Sequence, residues 1–261
     1  MSKWFHLKCL FAVMLLLVSQ HLFAQPKTDT PSLSEEQIVS NMLRDADRYR
    51  LKNHAAKIVS VIKLYTDGEL EKTRRFHVYA KLGKESLVIF KSKSEEGQKM
   101  LMLKDNYWLI MPKSRHPIRI TPMQKLLGEA SVGDIATLLW STHYNATFIA
   151  TQEMDNQMTN LLELEAKTSG SSYQRIELWL DQHTNFPIKA KMYLRSGKLA
   201  KVAKFISGTI DNETRVTEMQ LTDQIQISKM TVIEYQKIEH VELENKYYDP
   251  HFLSHNNAGE L

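Results

Sequence analysis

Length, composition and charge exclude several classes of protein. The chain has 261 residues, of which 43% are hydrophobic and 25% are charged, and its 34 basic and 30 acidic residues give a net charge of +4. This charge is too balanced to indicate nucleic-acid binding. The single cysteine, Cys9, excludes a disulfide framework within the chain and a paired-cysteine metal site. The length and apolar content predict one globular domain with an ordinary hydrophobic core.

The first 24 residues, 1–24, predict a secretory signal peptide. Lys3 and Lys8 precede an apolar run, and Ala24 is a small residue before a candidate cleavage site. The run is shorter than the ~20 apolar residues that a membrane-spanning helix needs, and an uncleaved amino-terminal anchor is the alternative. Cleavage would remove Cys9 and both lysines and release a soluble protein into the cell envelope.

The next segment, 25–32, predicts a flexible leader, and 33–254 predicts a single domain that begins with an amphipathic helix. Ser34 is placed to cap this helix, and Gln37 is placed to complete a capping box. The stripe of apolar residues at helical spacing consists of Ile38, Met42, Ala46 and Tyr49, with Val39 and Leu43 beside them. We expect this stripe to pack against another element.

After the helix, short segments with alternating apolar and polar residues predict β-strands. Asp67-Gly68 is typical of a type I′ hairpin turn, and Asp105-Asn106 predicts another turn. Short connections of this kind predict an antiparallel meander, because parallel strands need long crossovers. The predicted strands are 57–65, 74–80, 86–92, 99–103, 107–111, 175–180, 187–194, 199–206, 214–221 and 229–235.

The number of strands predicts a strongly curved sheet. About ten to twelve antiparallel strands are too many for a flat sheet, so we expect a mainly β fold with an incomplete antiparallel β-barrel. Two short helices are predicted at 122–128 and 133–141, and with the amino-terminal helix they would form a helical lid over the apolar face. So few helices are expected to leave a cavity inside the sheet.

Motifs for catalysis or cofactor binding are missing from the sequence. The glycines of 128–133 have the spacing of a phosphate loop, but Asp134 stands where the lysine is needed, so a turn and a helix cap are predicted there. The histidines are scattered without metal-ligand spacing. A carboxylate pair such as Glu163 and Glu177 is the remaining route to a hydrolase. The sequence therefore predicts a protein that is not an enzyme and that holds no metal or other cofactor.

Two segments carry a resemblance to a known family. The first, WLIMPKSRHPIRITPMQKLLGEASVGD at 108–134, places a cationic, proline-rich segment after an aromatic strand. The second is YQRIELWLDQHTNFPIKAKMYLRSGKLAKV at 173–202. In these segments the chain resembles the outer membrane lipoprotein-sorting protein family, the LolA-like periplasmic carriers. The resemblance extends from about residue 35 to Leu253, and the first segment is its most specific part.

The resemblance implies an incomplete β-barrel that is covered by helices and encloses an apolar cavity for acyl chains. It implies a periplasmic carrier, or chaperone, that shields the acyl chains of a lipoprotein or other lipid and transfers it toward the outer membrane. The expected partners are the lipoprotein or lipid cargo, an inner-membrane exporter of the ABC or RND type, and an outer-membrane acceptor. The alternative is a periplasmic sensor on the same fold that recognises an acylated ligand and signals to a membrane partner.

The candidate site residues form two sets. Lys113, Arg115 and Arg119 are predicted to lie at the cavity rim, where they would meet anionic head groups or an acidic docking surface. A solvated loop is the alternative for this set. The residues predicted to line the acyl cavity are Met102, Trp108, Ile110, Leu138, Trp140, Leu178, Leu180, Met192 and Leu194. Strand alternation does not reveal which face of the sheet is concave, so an ordinary core is the alternative for the second set.

Overall fold

The structure is a computed structural model whose described residues are 33–52, 55–81, 85–136, 139–222, 228–256 and 261. The predicted signal peptide and leader lie outside the described residues, and so does Leu138 among the predicted cavity residues. Within the described part, Ser34–Leu261 is one compact unit.

One antiparallel sheet of thirteen strands dominates this unit. In the order in which they lie side by side, the strands are β6 (Ile118–Ile120), β5 (Asn106–Ile110), β4 (Lys99–Leu103), β3 (Glu85–Phe90), β2 (Glu69–Lys81), β1 (Ala55–Thr66), β15 (Lys229–Glu239), β14 (Glu213–Thr222), β13 (Leu199–Ile210), β12 (Pro187–Tyr193), β11 (Arg175–Asp181), β10 (Gln157–Ala166) and β9 (Tyr144–Met154). β1 pairs with β15, and β6 and β9 are the two edges of the sheet. The predicted mainly β fold with an incomplete antiparallel barrel is confirmed, with slightly more strands than expected.

Tight turns with left-handed backbone connect several neighbouring strands. Asp67 (φ 51°) and Gly68 (φ 85°) connect β1 to β2, as the sequence predicts. Asp155-Asn156 and Asp211-Asn212 also have two positive φ angles each, and they connect β9 to β10 and β13 to β14. Turns of this kind match the right-handed twist of the strands, and Asp, Asn and Gly tolerate them better than other residues do.

Three local predictions need correction. The strands β9 and β10 are missing from the sequence prediction; β9 is an edge strand, and after Tyr144 all its residues are exposed or half-buried. The predicted helix at 122–128 is wrong: Lys125–Leu127 is a strand, β7, which pairs with β8 (Ala130–Ser131). Gly128 (φ 54°) forms the turn of this hairpin. The turn predicted at Asp105-Asn106 begins one residue earlier, at Lys104.

Four α-helices accompany the strands in the described residues: α1 (Glu35–Arg48), α2 (Val132–Ala136), α3 (Trp140–His143) and α4 (Pro250–His255). The capping box of α1 is confirmed, because the Gln37 N–H donates to Ser34 Oγ and the Ser34 N–H donates to Gln37 Oε1. The buried stripe of α1 is centred on Val39, Leu43 and Ala46, whereas Ile38 is 48% exposed. The stripe is therefore rotated by about one residue from the prediction.

The sheet has an inner face, which contacts α1 and the chain between β6 and β9, and an opposite outer face. The main apolar cluster fills the inner side, and every strand of the sheet except β6 contributes a buried residue to it. The edge strand β9 contributes Tyr144, and β6 packs the half-buried Ile120 against the cluster. A second cluster lies on the outer face of β2 to β5. There Leu243, Tyr248 and Leu253 pack against side chains such as Leu101. We call residues 241–256 the carboxyl-terminal cover.

Candidate functional site

The chain between the two edge strands occupies the inside of the sheet. We call residues 121–143 the plug; its described part contains the β7–β8 hairpin, α2 and α3. The plug contributes Leu127, Val132, Ile135 and Trp140 to the main apolar cluster. Because it connects β6 to β9, the plug spans the side on which the sheet is open.

The tip of the plug hairpin contacts the strands at the centre of the sheet. The Glu129 N–H donates a hydrogen bond of 2.9 Å to Thr231 Oγ1, on β15. A Cβ atom at Gly128 would lie 2.3 Å from Thr231 Oγ1 and 2.9 Å from Leu64 Cδ1, so a larger residue does not fit without displacement. Glycine therefore permits both the left-handed turn and the close contact.

A buried ion pair connects the plug to the sheet. Asp134, on α2, receives a hydrogen bond of 2.6 Å from Lys201 Nζ, on β13, and one of 2.7 Å from the Tyr173 hydroxyl. The Ser131 N–H and hydroxyl also donate to Asp134. Burial opposes ionisation of Asp134, but the charge of Lys201 and these hydrogen bonds outweigh it and hold the pKa of Asp134 below its ordinary value. The turn and helix cap predicted at Gly133-Asp134 are wrong, because both residues lie within α2; Asp134 instead makes a tertiary contact with the sheet.

A second buried carboxylate connects α1 to the plug. The Trp140 and Ser141 N–H groups donate hydrogen bonds of 2.7 and 2.9 Å to the two oxygens of Asp47. Burial raises the pKa of Asp47, and the hydrogen bonds to Ser141 and Trp140 oppose that shift. The Arg50 guanidinium lies 4.3 Å from the centre of the Trp140 ring, which places a cation inside the sheet.

The enclosed space between the plug and the strands is small. A cavity of about 30 Å³ lies between the plug and the strands, with Asp134, Tyr173, Ile176, Met192 and Phe205 among its lining residues. Binding sites for small molecules usually measure about 300–1,000 Å³. The plug therefore fills the space beside these lining residues, and an acyl chain can lie there only if the plug moves.

The structure divides the predicted cavity residues between the two faces. Met102, Trp140, Leu178, Leu180 and Met192 belong to the main apolar cluster on the inner side. Trp108 and Ile110 instead belong to the outer cluster. Leu194 follows the end of β12, is half-buried and belongs to neither cluster. Because neighbouring residues of a strand point to opposite faces, Tyr107 faces inward on β5 where Trp108 faces outward.

The three predicted rim residues are exposed at one edge of the sheet. Lys113 and Arg115 lie in the loop between β5 and β6, and Arg119 lies on β6. The Arg119 guanidinium lies 4.8 Å from the centre of the Trp108 ring and donates a hydrogen bond of 2.6 Å to Asn106 Oδ1. Arg119 therefore packs on the outer face, while the other two lie on the loop.

Sequence reasoning missed the polar groups inside the sheet. Lys201 precedes Ala203 and Phe205 with the period of a strand, so all three share the inner face. A lysine in phase with an apolar strand face was the available signal, and it predicts a buried cation that needs a partner. In the described residues, no group of three or more His, Cys, Asp or Glu side chains could hold a metal ion. Nor does the described part contain a helix that is long and apolar enough to cross a membrane.

These features define a class of protein: an open antiparallel sheet with a plug inside it, which is a LolA-like fold. A LolA superfamily protein of Nitrosomonas europaea is 27% identical to this chain with a TM-score of 0.75, and the match covers 81% of this chain and 97% of that one. A family model described as "Uncharacterized protein" matches residues 83–255, and the chain belongs to that family. A comparison with curated protein sequences gave no match.

Two more distant solved structures show the same fold. A DUF1329 family protein of Desulfovibrio piger is 21% identical with a TM-score of 0.66, and the match covers 83% of this chain and 98% of that one. A structure from Vibrio parahaemolyticus, described as an outer membrane lipoprotein-sorting protein domain, is 18% identical with a TM-score of 0.66, and the match covers 84% of this chain and 99% of that one. The LolA-like recognition made from the sequence is confirmed.

Proposed function

We propose that this protein is a periplasmic carrier that shields the acyl chains of a lipoprotein or other lipid and transfers it across the envelope toward the outer membrane. The observation that carries the proposal is the plug, an element that fills an apolar interior and is connected to the sheet by polar contacts. Such contacts can break and form again, so the interior can change between a filled and an open state. The likeness to a LolA superfamily protein and to a lipoprotein-sorting domain supports the same role.

An apolar interior accounts for the energetics of transfer. An acyl chain of about fifteen methylenes costs on the order of 12 kcal/mol in water, at ~0.8 kcal/mol per methylene. The main apolar cluster would offset most of this cost once the plug moved away. Return of the plug would then displace the ligand, because its own apolar side chains compete for the same surface. In this proposal the protein binds and releases its cargo and does not transform it.

The partners follow from the same proposal. An inner-membrane exporter of the ABC or RND type would load the carrier, and an outer-membrane acceptor would receive the cargo. The exposed cations Lys113, Arg115 and Arg119 would bind anionic head groups or an acidic docking surface. Sensing of an acylated ligand is the alternative role, and it would produce a stable complex with one membrane partner in place of transfer to an acceptor membrane.

A reversible cross-link between the plug and the sheet tests the carrier function. A Cβ atom at Gly128 would lie 3.5 Å from Thr231 Cβ, within the range of about 3.5–4.5 Å found in disulfides. The variant Gly128→Cys/Thr231→Cys, with Cys9→Ser to remove the only natural thiol, should form a disulfide that holds the plug in place once the Leu64 side chain shifts to make room. Uptake of a fluorescent fatty acid is measured before and after reduction.

The oxidised variant should take up little fatty acid, and the same sample should recover uptake after reduction. Equal uptake in the two states would show that the ligand does not enter the interior. Absence of uptake in the wild type, together with no acylated molecule in native mass spectra of protein purified from its own envelope, would overturn the carrier proposal.

A further inference from the structure

Two side chains outside the plug donate hydrogen bonds to the two oxygens of the Asp134 carboxylate. Lys201 Nζ, from β13, lies 2.6 Å from Oδ2, and the Tyr173 hydroxyl, from the loop between β10 and β11, lies 2.7 Å from Oδ1. Both donors belong to the body of the protein, whereas the acceptor belongs to the plug. We call Lys201 and Tyr173 the carboxylate cradle.

The ion pair is unusual in its burial. The Lys201 side chain is 3% exposed and the Asp134 side chain is 1% exposed, and every other ion pair among the described residues has at least one side chain that is far more accessible. Apolar residues of similar volume often replace such a pair without loss of stability. Stability alone therefore does not account for the presence of the pair.

Movement of the plug would separate the two charges. Asp134 would leave with α2, while the cradle would stay on the sheet beside Ile176, Met192 and Phe205. Arg50 lines the same cavity, so the interior would then carry a positive potential in apolar surroundings. An ammonium group in this setting is strongly destabilising unless another anion takes the place of Asp134.

We propose that the carboxylate cradle of Lys201 and Tyr173 binds the anionic head group of a single-chain acyl ligand, and that Asp134 of the plug occupies this head-group site when no ligand is bound. The inference rests on the proposed carrier function and names the class of ligand. The acyl chain would lie along Ile176, Met192 and Phe205, which border the cradle. The ligand then replaces both parts of the plug: its head group replaces Asp134, and its chain replaces the apolar side chains.

Three probes that share a sixteen-carbon chain test the inference: palmitate, hexadecyl phosphate and hexadecanol. The wild type should bind palmitate with a Kd about tenfold or more below that of hexadecanol, as charge-assisted hydrogen bonds imply. The ratio of the Kd values for palmitate and hexadecyl phosphate shows whether the site prefers a carboxylate or a phosphate head group. Tighter binding of either anion than of hexadecanol would support the proposal that the cradle binds the head group.

Variants distinguish the cradle from a general effect of positive charge. Lys201→Met/Asp134→Leu removes both charges, so the fold is retained, and it should bind the three probes with similar Kd values. Asp134→Asn removes the competing carboxylate but keeps Lys201, and it should bind palmitate more tightly than the wild type does. Lys204→Met, an exposed lysine of the same strand, is the matched control and should keep the preference for anions.

The outcomes separate this inference from the carrier proposal. Equal affinity of the wild type for the three probes, or an undiminished preference in the double variant, would overturn the cradle while uptake itself still supported a carrier. Failure of the wild type to bind any probe would overturn the cradle, and it would overturn the carrier proposal as well if native mass spectra also showed no acylated molecule. A loss of the anion preference in Lys204→Met as large as that in the double variant would show that surface charge, and not the cradle, selects the ligand.

Discussion

The plug and the carboxyl-terminal cover pack against the same sheet in different ways. The plug lies on the inner face and is connected by the buried pair of Asp134 and Lys201 and by hydrogen bonds to Asp47 and Thr231. The cover lies on the outer face, where it contributes Leu243 and other apolar side chains to the second cluster. Its polar contacts lie at the surface, as between Lys81 and Asn245.

The buried ion pair is the feature that distinguishes the plug from the carboxyl-terminal cover in the proposed function. Both elements bury apolar side chains, so apolar packing alone does not distinguish the plug from the carboxyl-terminal cover. A buried ion pair adds little net stability, but its charges require either each other or a substitute. In our proposal the plug exchanges with an anionic ligand, whereas the carboxyl-terminal cover, whose polar contacts lie at the surface, stays in place.

The largest expected effect comes from breaking the buried ion pair on one side only. Lys201→Met should lower the free energy of unfolding by about 3–5 kcal/mol, because Asp134 stays buried without its counter-charge. Urea unfolding measures the loss, and the double variant Lys201→Met/Asp134→Leu should recover most of it. Equal losses in the single and double variants would show that the sheet needs the lysine for packing alone.

A large truncation in the cover should reduce stability without changing lipid binding. Leu253 is 1% exposed in the outer cluster, and Leu253→Ala should lower the free energy of unfolding by about 3 kcal/mol. Leu70→Ala, at a leucine that is 54% exposed on β2, is the control and should have little effect. Fatty-acid uptake by folded Leu253→Ala should equal that of the wild type; a marked change would mean that the cover also takes part in opening.

Two glycines test how tightly the plug hairpin packs. Both Gly128 and Gly68 have positive φ angles, but only Gly128 has close neighbours on other strands. Gly128→Ala should lower the free energy of unfolding by about 2 kcal/mol or more, from backbone strain and overpacking together. Gly68→Ala should show the backbone part alone, about 1 kcal/mol. Similar values for the two variants in urea unfolding would contradict the close docking of the hairpin tip.

His77 on the outer face and Asp134 on the inner side should respond to acid in different pH ranges. Burial, with Lys57 and Lys91 nearby, lowers the pKa of His77 on the outer face of β2 from 6.5 to about 4. A histidine that is kept neutral by the fold stabilises it fully above pH 6.5. This stabilisation, on the order of 2 kcal/mol, is lost as the pH falls from 6.5 to about 4. The pKa of Asp134 is lowered, so its contribution is lost only below its ordinary value of 3.8.

Urea unfolding between pH 7 and 4 measures this difference. His77→Gln should remove much of the decline in stability between pH 6.5 and 4, whereas Lys201→Met/Asp134→Leu should leave that decline unchanged. If the double variant removed the decline and His77→Gln did not, the assignment of the two pH ranges to His77 and Asp134 would be wrong.

The smallest effect on stability is expected at the rim. Reversal of Lys113, Arg115 and Arg119 to Glu should change the free energy of unfolding by less than about 1 kcal/mol, because their charges are exposed. The same change should weaken association with anionic vesicles or with the exporter, measured by co-sedimentation at low salt. Unchanged association would show that these cations do not bind a partner and that the loop is simply solvated.

The success of the sequence predictions depends on how local each feature is. The capping box of Ser34 and Gln37 and the turn at Asp67-Gly68 lie within four consecutive residues each, and both were predictable. The helix predicted at 122–128 failed because Leu127 pairs with Ala130 across a glycine turn, an arrangement that the local pattern does not distinguish from a helix. The edge strand β9 was not predicted; apart from Tyr144 its residues are exposed or half-buried, so it lacks the run of large buried side chains that the central strands have.

Alternating strands and short turns were enough to predict the class of fold, since they permit little other than an antiparallel, strongly curved sheet. Strand alternation also predicts which residues of a strand share a face, but it does not reveal which face is inside; the packing of the folded chain establishes that, and it separates Trp108 from Met102. The pair of Asp134 and Lys201 is 67 residues apart in the chain. No local pattern specifies such a pair, because only the closure of the plug against the sheet brings the two charges out of water and together.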